Sequence, residues 1–452
     1  MTQAPGIDKN CYLWPLRCMA SAVLACVLAL GCLTLSACSP APDAALRAKP
    51  MRPSIRLSTW GGAQEIQTLR SLLSDFEREN PTIRVELLHI PEQYFQKLHL
   101  LAAADMTPDV AFINSLQFPA YARAGLLADL TPWMRAERGL STTDFYPQAL
   151  QAFYFAASDK RALGAIPRDV SDLVVYYNRD LFARAGLAPP ADDWTWADFL
   201  KTARALTYDR DGDGRPEQFG VSFSRSEPIY WLPYVWSAGG QLFNADQSAL
   251  ALDSPQALRG LDFYARWSST ERIAPRKADI AAAAMSQWFL QQRLAMFISG
   301  RWTTPVLREQ ASFAWDVAPL PRGPAGSRVG IDASGYAMAA RTRHPKESWR
   351  LIAFLSSRRA QMRFAASGLI VPARRDAAQS AVFLDTRQSP RNSRAFLEAI
   401  ASGVPTQSHP AWGELSETLK LGLEPVWEGQ KTPEQAIKSM EAATRRLLRD
   451  GA

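Results

Sequence analysis

The sequence predicts an α/β fold with more than one domain, on three observations. Short runs of alternating apolar residues read as strands. Apolar residues at helical spacing lie between those runs. The two kinds of segment alternate along a chain of 452 residues, long enough for two or three domains. Hydrophobic residues make up 47% and charged residues 21%. That composition is ordinary for a globular protein and excludes a disordered chain, a coiled coil or a collagen.

Ile55-Arg-Leu-Ser-Thr-Trp60 alternates and reads as the first strand. Gly61-Gly62 turns the chain. Ile66, Leu69, Leu72, Leu73 and Phe76 then share one helical face, and Asn80-Pro81 stops that helix. Ile83-Arg-Val-Glu-Leu-Leu88 is a second strand, which completes a βαβ unit and implies a parallel sheet with a right-handed crossover. A helix over Tyr94–Ala104 and a strand over Asp109–Ile113 follow. Several strands end in small or polar residues: Trp60-Gly61-Gly62, Asn114-Ser115, and Asp169–Asp172 ahead of the strand Leu173–Tyr177. Ligands of open α/β sheets sit at such strand ends. The stretch 200–330 is rich in Trp and Tyr. Glu414–Leu448 reads as mostly helical, with breaks at Pro425 and Pro433.

The five cysteines, Cys11, Cys18, Cys26, Cys32 and Cys38, all lie in the first 38 residues. No later pair is available for a disulfide or a thiolate metal site. The same segment has a positive start at Lys9 and Arg17, an apolar stretch from Met19 to Leu35, and the ending Leu35-Ser-Ala-Cys38. It reads as an export signal with small residues before the cut. The ending resembles the bacterial lipobox, in which the Cys is acylated, so Cys38 is the expected lipidation site. A retained transmembrane anchor is the competing reading, and the apolar run is short for one. Residues 39–52 are rich in Pro and Ala and read as a tether. A lipid-anchored body on the periplasmic or extracellular side of the bacterial cell envelope is the expected location.

Lys and Arg number 51 against 44 Asp and Glu, a net charge of +7. This mild excess contains no dense basic run interleaved with aromatics, so nucleic acid is not an expected partner. The four histidines are His89, His99, His344 and His409. No His-Glu-x-x-His pair, Gly-x-Ser-x-Gly elbow or G-x-x-x-x-G-K-[ST] loop occurs.

Five segments resemble, in order, the signatures of the extracellular solute-binding proteins of ABC importers, in the branch that includes maltose-binding proteins. They are Pro108-Asp-Val-Ala-Phe-Ile-Asn-Ser with Tyr121-Ala-Arg-Ala-Gly-Leu-Leu-Ala-Asp-Leu130; Ala165-Ile-Pro-Arg-Asp-Val-Ser-Asp-Leu-Val-Val-Tyr-Tyr-Asn-Arg-Asp-Leu-Phe182; Ala295-Met-Phe-Ile-Ser-Gly-Arg-Trp302; Gly330-Ile-Asp-Ala-Ser-Gly-Tyr-Ala-Met338; and Trp427-Glu-Gly-Gln-Lys-Thr-Pro-Glu-Gln-Ala436. The resemblance implies a type II periplasmic-binding-protein fold, two α/β lobes joined by a hinge with the ligand in an interlobe cleft. It places the crossings near Arg168–Val170, Asp332–Gly335 and 385–395. Lobe one is then 53–168 plus 334–388, and lobe two 170–332 plus 392–448. The implied role is a monomeric, non-enzymatic receptor that needs no cofactor. It takes a sugar and passes it to the transmembrane subunits of a permease.

A sugar-binding cleft needs aromatic faces for C–H patches and planar polar groups for hydroxyls. The tract Ile229–Gly240 supplies Tyr230, Trp231 and Trp236 as candidates, each of which reads equally as core. Trp302 matches the family's Gly-x-Trp, whose Trp stacks on ligand in relatives; a helix–helix contact is its other reading. In lobe one, Trp60 and Gly61 follow the first strand and Asn114, Ser115 and Gln117 the third, while Tyr94 sits where some relatives place a ligand-contacting Tyr. Ile113 and Leu116-Gln117 stand where the maltose-binding branch carries a Trp and an Asp-Arg pair, which argues against maltodextrin itself. The crossings offer Ser171, Asp172, Asp332 and Ser334. Arg374 and Ser416 complete the set, the latter with His409 and Trp412 nearby.

Asp209-Arg-Asp-Gly-Asp-Gly-Arg-Pro-Glu217 carries carboxylates at every second position and then Gly, the spacing of a calcium loop. Asp209, Asp211, Asp213 and Glu217 are the expected ligands of a structural calcium. Gly220 stands where an EF-hand needs its bidentate Glu, and a plain surface turn is the alternative. Two further functions compete with sugar capture. Tyr94, Ser115 and Ser171 match positions used by a relative that binds glycerol-phosphate diesters, although Ser416 replaces that relative's late Arg. A cell-surface glycosidase needs two carboxylates across a bond, and Asp172 with Asp332 are the pair available for that. An anchored scaffold that has lost transport is a third reading.

Overall fold

The computed structural model describes residues 52–157, 160–225, 227–279 and 285–450. Cys38 and residues 39–51 of the tether lie outside them. Thirteen strands occur among the described residues. They are β1 Ser54–Thr59, β2 Arg84–His89, β3 Val110–Asn114, β4 Tyr154–Ala157, β5 Lys160–Leu163, β6 Ala165–Ser171, β7 Val174–Asn178, β8 Phe219–Val221, β9 Leu294–Ser299, β10 Trp315–Ala318, β11 Gly330–Met338, β12 Val371–Pro372 and β13 Val404–Pro405. No helix among the described residues is long and apolar enough to cross a membrane.

The strands form two main sheets, each the centre of one lobe. The larger has the order β12-β6-β11-β3-β1-β2, with β13 added to the end of β11. The smaller has the order β10-β7-β9-β8. β1, β2 and β3 are parallel, as the βαβ reading requires. The crossover helix Ala63–Glu79 buries Ile66, Leu69, Leu72, Leu73 and Phe76, the face its spacing predicts. Burying these five side chains contributes a gross stabilisation of roughly 10 kcal/mol, an upper bound against an extended unfolded chain.

The chain leaves the larger sheet after Ser171 and enters the smaller at Val174, so the first passage is Asp172-Leu173. The second passage runs from Ala318 to Gly330. The segment Asp332–Gly335, expected to cross, is already inside β11 and paired with β6. The third passage is pinned to β10. Ser389 Oγ donates to the Trp315 carbonyl at 2.9 Å, and the Asn392 N–H donates to Asp316 Oδ1 at 2.9 Å. Beyond it β13 rejoins the larger sheet before the last two helices, Trp412–Trp427 and Pro433–Asp450, pack on Pro228–Ser237 and Pro255–Ser269. Pro425 lies inside the first of these helices, near its end, and Pro433 begins the second. Pro suits a first helical turn, where its missing N–H is not needed.

Candidate ligand-binding site

β8 and β9 are parallel neighbours, and their C-terminal ends open onto a cavity of about 620 Å³ in lobe two. Its aromatic lining is Phe223, Tyr230, Phe297 and Trp302, and its polar lining includes Ser224, Arg225, Glu227 and Ser286. Two sequence candidates, Tyr230 and Trp302, therefore share one wall system. Trp302 keeps 42% of its surface exposed, whereas most large aromatics of this lobe are buried. Gly300 explains the pose, because a Cβ there would overlap the Trp302 ring. The indole lies across the backbone of its own turn, which leaves an aromatic surface accessible.

Tyr230 is half-buried, on the first turn of the helix Pro228–Ser237. Burial, with a smaller contribution from Glu227, pushes its hydroxyl up to about 12, so it is a neutral donor and acceptor at physiological pH. Glu227 itself precedes Pro228; its side chain remains solvent-exposed, and partial desolvation in the cavity wall raises its carboxyl above the usual range. Sequence reasoning began this tract at Ile229 and missed it. The available signal was a carboxylate next to a helix-starting Pro, just beyond a strand end. Arg225 is already committed: Nε donates to Glu428 Oε1 at 3.2 Å, and the guanidinium also reaches the Pro275 carbonyl. Three wall hydroxyls are likewise engaged inside the wall. Ser222 Oγ accepts the Ile298 N–H at 3.0 Å, and Ser299 pairs with Thr303 at 2.6 Å.

The lobe-one candidates collect at one edge of the larger sheet. β11 sets Asp332 opposite Ser171 and Ser334 opposite both Asn114 and Asp169. The ends of β1 and β3 bring Trp60 and Ser115 to the same edge. Their environments differ. Trp60 packs on Phe112, Tyr94 and Phe95 at 4.4, 5.0 and 5.4 Å. Tyr94 is buried and its hydroxyl pairs with Ser58 Oγ at 2.8 Å, so it is a core residue of lobe one. Ser115 is buried too; its Oγ accepts the Ala333 N–H and ties β3 to β11. Asn114 is half-buried and its Oδ1 caps the Gln117 N–H. Gln117 is half-buried at the start of the helix Phe118–Arg123. The Gly61 carbonyl accepts from His89 Nε2 at 2.9 Å.

Arg168, unassigned by the sequence beyond a crossing, fixes this edge. Its Nη1 donates to Glu65 Oε1 at 2.6 Å and its Nε to Asp169 Oδ2 at 2.7 Å, and it lies 4.0 Å from the Phe112 ring. Glu65 belongs to the helix that follows Gly61, so one buried cation joins that helix to β6.

Several other candidates fall away from an open surface. Asp172 has no exposed surface and Asp332 only 6%, so the two do not face one another across an accessible bond. Ser171 is half-buried beside them. Trp231 is packed near Trp427 in the lobe-two core, and Trp236 is buried against Gly330. A helix with apolar residues on every side is buried all round, and that is why this tract lost two of its three candidates. Arg374 is buried with its guanidinium bound to Asp376 and Asp144. Ser416 Oγ donates to the Gly413 carbonyl, and His409 and Trp412 are buried.

In the acidic loop, ligand atoms of Asp209, Asp211 and Glu217 lie within 4.8 Å of one another, and Asp213 is not part of that group. Asp209 accepts the N–H groups of Gly212 and Gly214, Asp211 that of Asp213, and Glu217 that of Arg210. Gly212 and Gly214 have φ of 75° and 80°, the left-handed conformation this turn requires.

Comparison with known proteins follows the same lines. The sequence profile of the bacterial extracellular solute-binding proteins matches residues 62–362. The chain is 24% identical to a diacetylchitobiose-binding protein of Streptomyces coelicolor, over 78% of this chain and 80% of that one. It is 21% identical to a galactooligosaccharide-binding protein of Bacillus subtilis, over 90% and 92%. Its fold superposes on an ABC substrate-binding protein of Listeria monocytogenes solved with cycloalternan. The TM-score is 0.80 at 25% identity, covering 88% of this chain and 99% of that one.

Proposed function

The chain belongs to the bacterial extracellular solute-binding proteins, whose members are binders and not enzymes, and from that premise we propose that it captures a neutral carbohydrate in the lobe-two cavity and delivers it to an ABC permease. The observation that carries this reading is Trp302. An exposed indole lies over a cavity that also holds Tyr230 and the carboxylate of Glu227. Stacking on the ring suits the C–H face of a sugar, and a carboxylate suits a pair of its hydroxyls. Hydrogen bonds from the lobe-one edge, from Asn114 and Gln117 above all, complete the cleft on closure, a hinge motion driven by contacts made only in the closed form.

A glycerol-phosphate diester is the poorer fit. Among the described residues lining the cavity the single cation is Arg225, and its guanidinium is held by Glu428 and the Pro275 carbonyl. Glu227 adds negative charge where a phosphate would need donors. In this reading the protein is held on the outer side of the membrane by a lipid on Cys38. Replacing Cys38 with Ser then moves it from the membrane fraction to the soluble fraction.

Isothermal titration with diacetylchitobiose, galactobiose, maltotriose, cycloalternan and glycerophosphocholine tests the ligand class. Binding of one of the sugars supports the proposal. Binding of glycerophosphocholine alone overturns it.

A further inference from the structure

Arg301 and Trp302 are neighbours in one short turn after β9, yet they serve different surroundings. Trp302 lines the cavity, while Arg301 is 2% exposed. The antiparallel register of β7 and β9 pairs Val175 with Ile298 and Val174 with Ser299. Each step back along β7 is one step forward along β9. Asp172 and Arg301 each lie two residues beyond that last pair, Asp172 in the passage and Arg301 in the short 3-10 turn Arg301–Thr303. Asp172 is one of the two residues of the first interlobe passage.

Both groups are buried and incompletely satisfied. Among the described residues, neither Asp172 Oδ1 nor Oδ2 has a hydrogen-bond partner, and neither do Arg301 Nε and Nη2. The remaining Arg301 Nη1 donates to Ser393 Oγ at 2.9 Å, and Ser393 lies in the stretch following the third passage. The guanidinium also lies 4.3 Å from the Phe383 ring and 5.0 Å from that of Phe396. Burial raises the Asp172 carboxyl well above the usual range, and the Arg301 charge acts the other way. Burial likewise lowers Arg301 to about 10. Two acceptors and two donors without partners among the described residues thus lie just past the end of one ladder, beside the first passage. Buried polar groups are satisfied in nearly all native structures, and a buried charge left alone is costly. Such a pair is explained when it has a second arrangement in which the atoms meet.

We propose that Asp172 and Arg301 form a clasp between the first interlobe passage and the Trp302 turn. The β7–β9 ladder extends toward the hinge by these residues, the carboxylate meets Arg301 Nε and Nη2, and that contact sets Trp302 over the cavity. Arg301 is a positioning residue and touches no ligand. The inference rests on the cavity being the ligand site, but its test contains no sugar, so the two readings fail separately.

The test is hydrogen exchange by mass spectrometry on the full chain, comparing wild type, Asp172→Asn, Arg301→Gln and the double variant. Each single change is expected to speed exchange on the order of tenfold in both 170–176 and 298–304, and the double is expected to add nothing beyond the larger single effect. Arg301→Lys, which keeps the charge, recovers part of the protection. Iodide quenching of the Trp302 emission, taken as the difference between each protein and its Trp302→Phe version, changes in the same variants. If Arg301→Gln does not fold, the isosteric Asp172→Asn carries the test alone, through exchange in 298–304. Changes confined to the substituted segment, additive effects in the double variant, or an unchanged Trp302 signal overturn the proposal.

Discussion

Two buried arginines show how the lobes differ. Arg168 in lobe one is enclosed by Glu65 and Asp169 and covered by aromatic rings, with short contacts to both carboxylates. Arg301 in lobe two has one hydrogen bond to Ser393 and, among the described residues, two nitrogens without a partner. The first is a completed network that fixes a sheet edge. The second is an incomplete one beside a passage between lobes. A buried charge whose partners are in place resists change, while one left partly unpartnered leaves room for movement.

The largest expected effect sharpens that comparison. Arg168→Ala leaves two carboxylates buried without their cation and is expected to cost about 3–5 kcal/mol of stability, read by denaturant unfolding. Arg301→Gln is expected to cost clearly less; equal losses would break the comparison. The same contrast holds for tryptophans. Trp231→Ala opens a cavity in the core and is expected to cost about 3–5 kcal/mol. Trp302→Ala is expected to leave stability within about 0.5 kcal/mol of wild type.

Next comes Asp332, whose carboxyl burial pushes up to about 6 from 3.8, with the Thr406 hydroxyl acting in the opposite direction. Its folded pKa is the higher one, so the folded state holds the proton more tightly. The resulting stability is present below pH 3.8 and is lost as pH rises through about 6. Asp332→Asn is therefore expected to raise stability at pH 7.5 by about 1–3 kcal/mol and to flatten this part of a Tm against pH curve. A variant that melts lower than wild type at pH 7.5 would contradict the assignment. In binding, Trp302→Ala is expected to cost roughly 1–3 kcal/mol of sugar affinity.

The periodic elements were legible in the sequence because local pattern decides them. The helix face from Ile66 to Phe76 and the strand ends at Trp60 and Asn114 follow directly from spacing. The set at the larger sheet edge was legible because strand ends converge on one side of a parallel sheet. Burial at the site was not. Tyr230, Trp231 and Trp236 belong to the same residue class within one helix, and only packing against Trp427 and Gly330 separates the half-buried ring from the other two. Tyr94 was taken from resemblance and Arg374 from its place after Gly368-Leu-Ile-Val-Pro-Ala, and their partners Ser58 and Asp144 are tertiary contacts that no local pattern announces. Glu227 was passed over because a single carboxylate beside a Pro carries little pattern until the cavity is seen.

The central claim is that Trp302 forms the stacking floor of a carbohydrate site. The most direct measurement is the melting temperature of wild type and Trp302→Ala, side by side, against the same sugars and glycerophosphocholine. A ligand that binds the native form raises the melting temperature by mass action. The account predicts that one sugar class raises it in wild type, that the rise largely disappears in Trp302→Ala, and that glycerophosphocholine moves neither. An equal rise in both proteins, or a response to glycerophosphocholine alone, would contradict it.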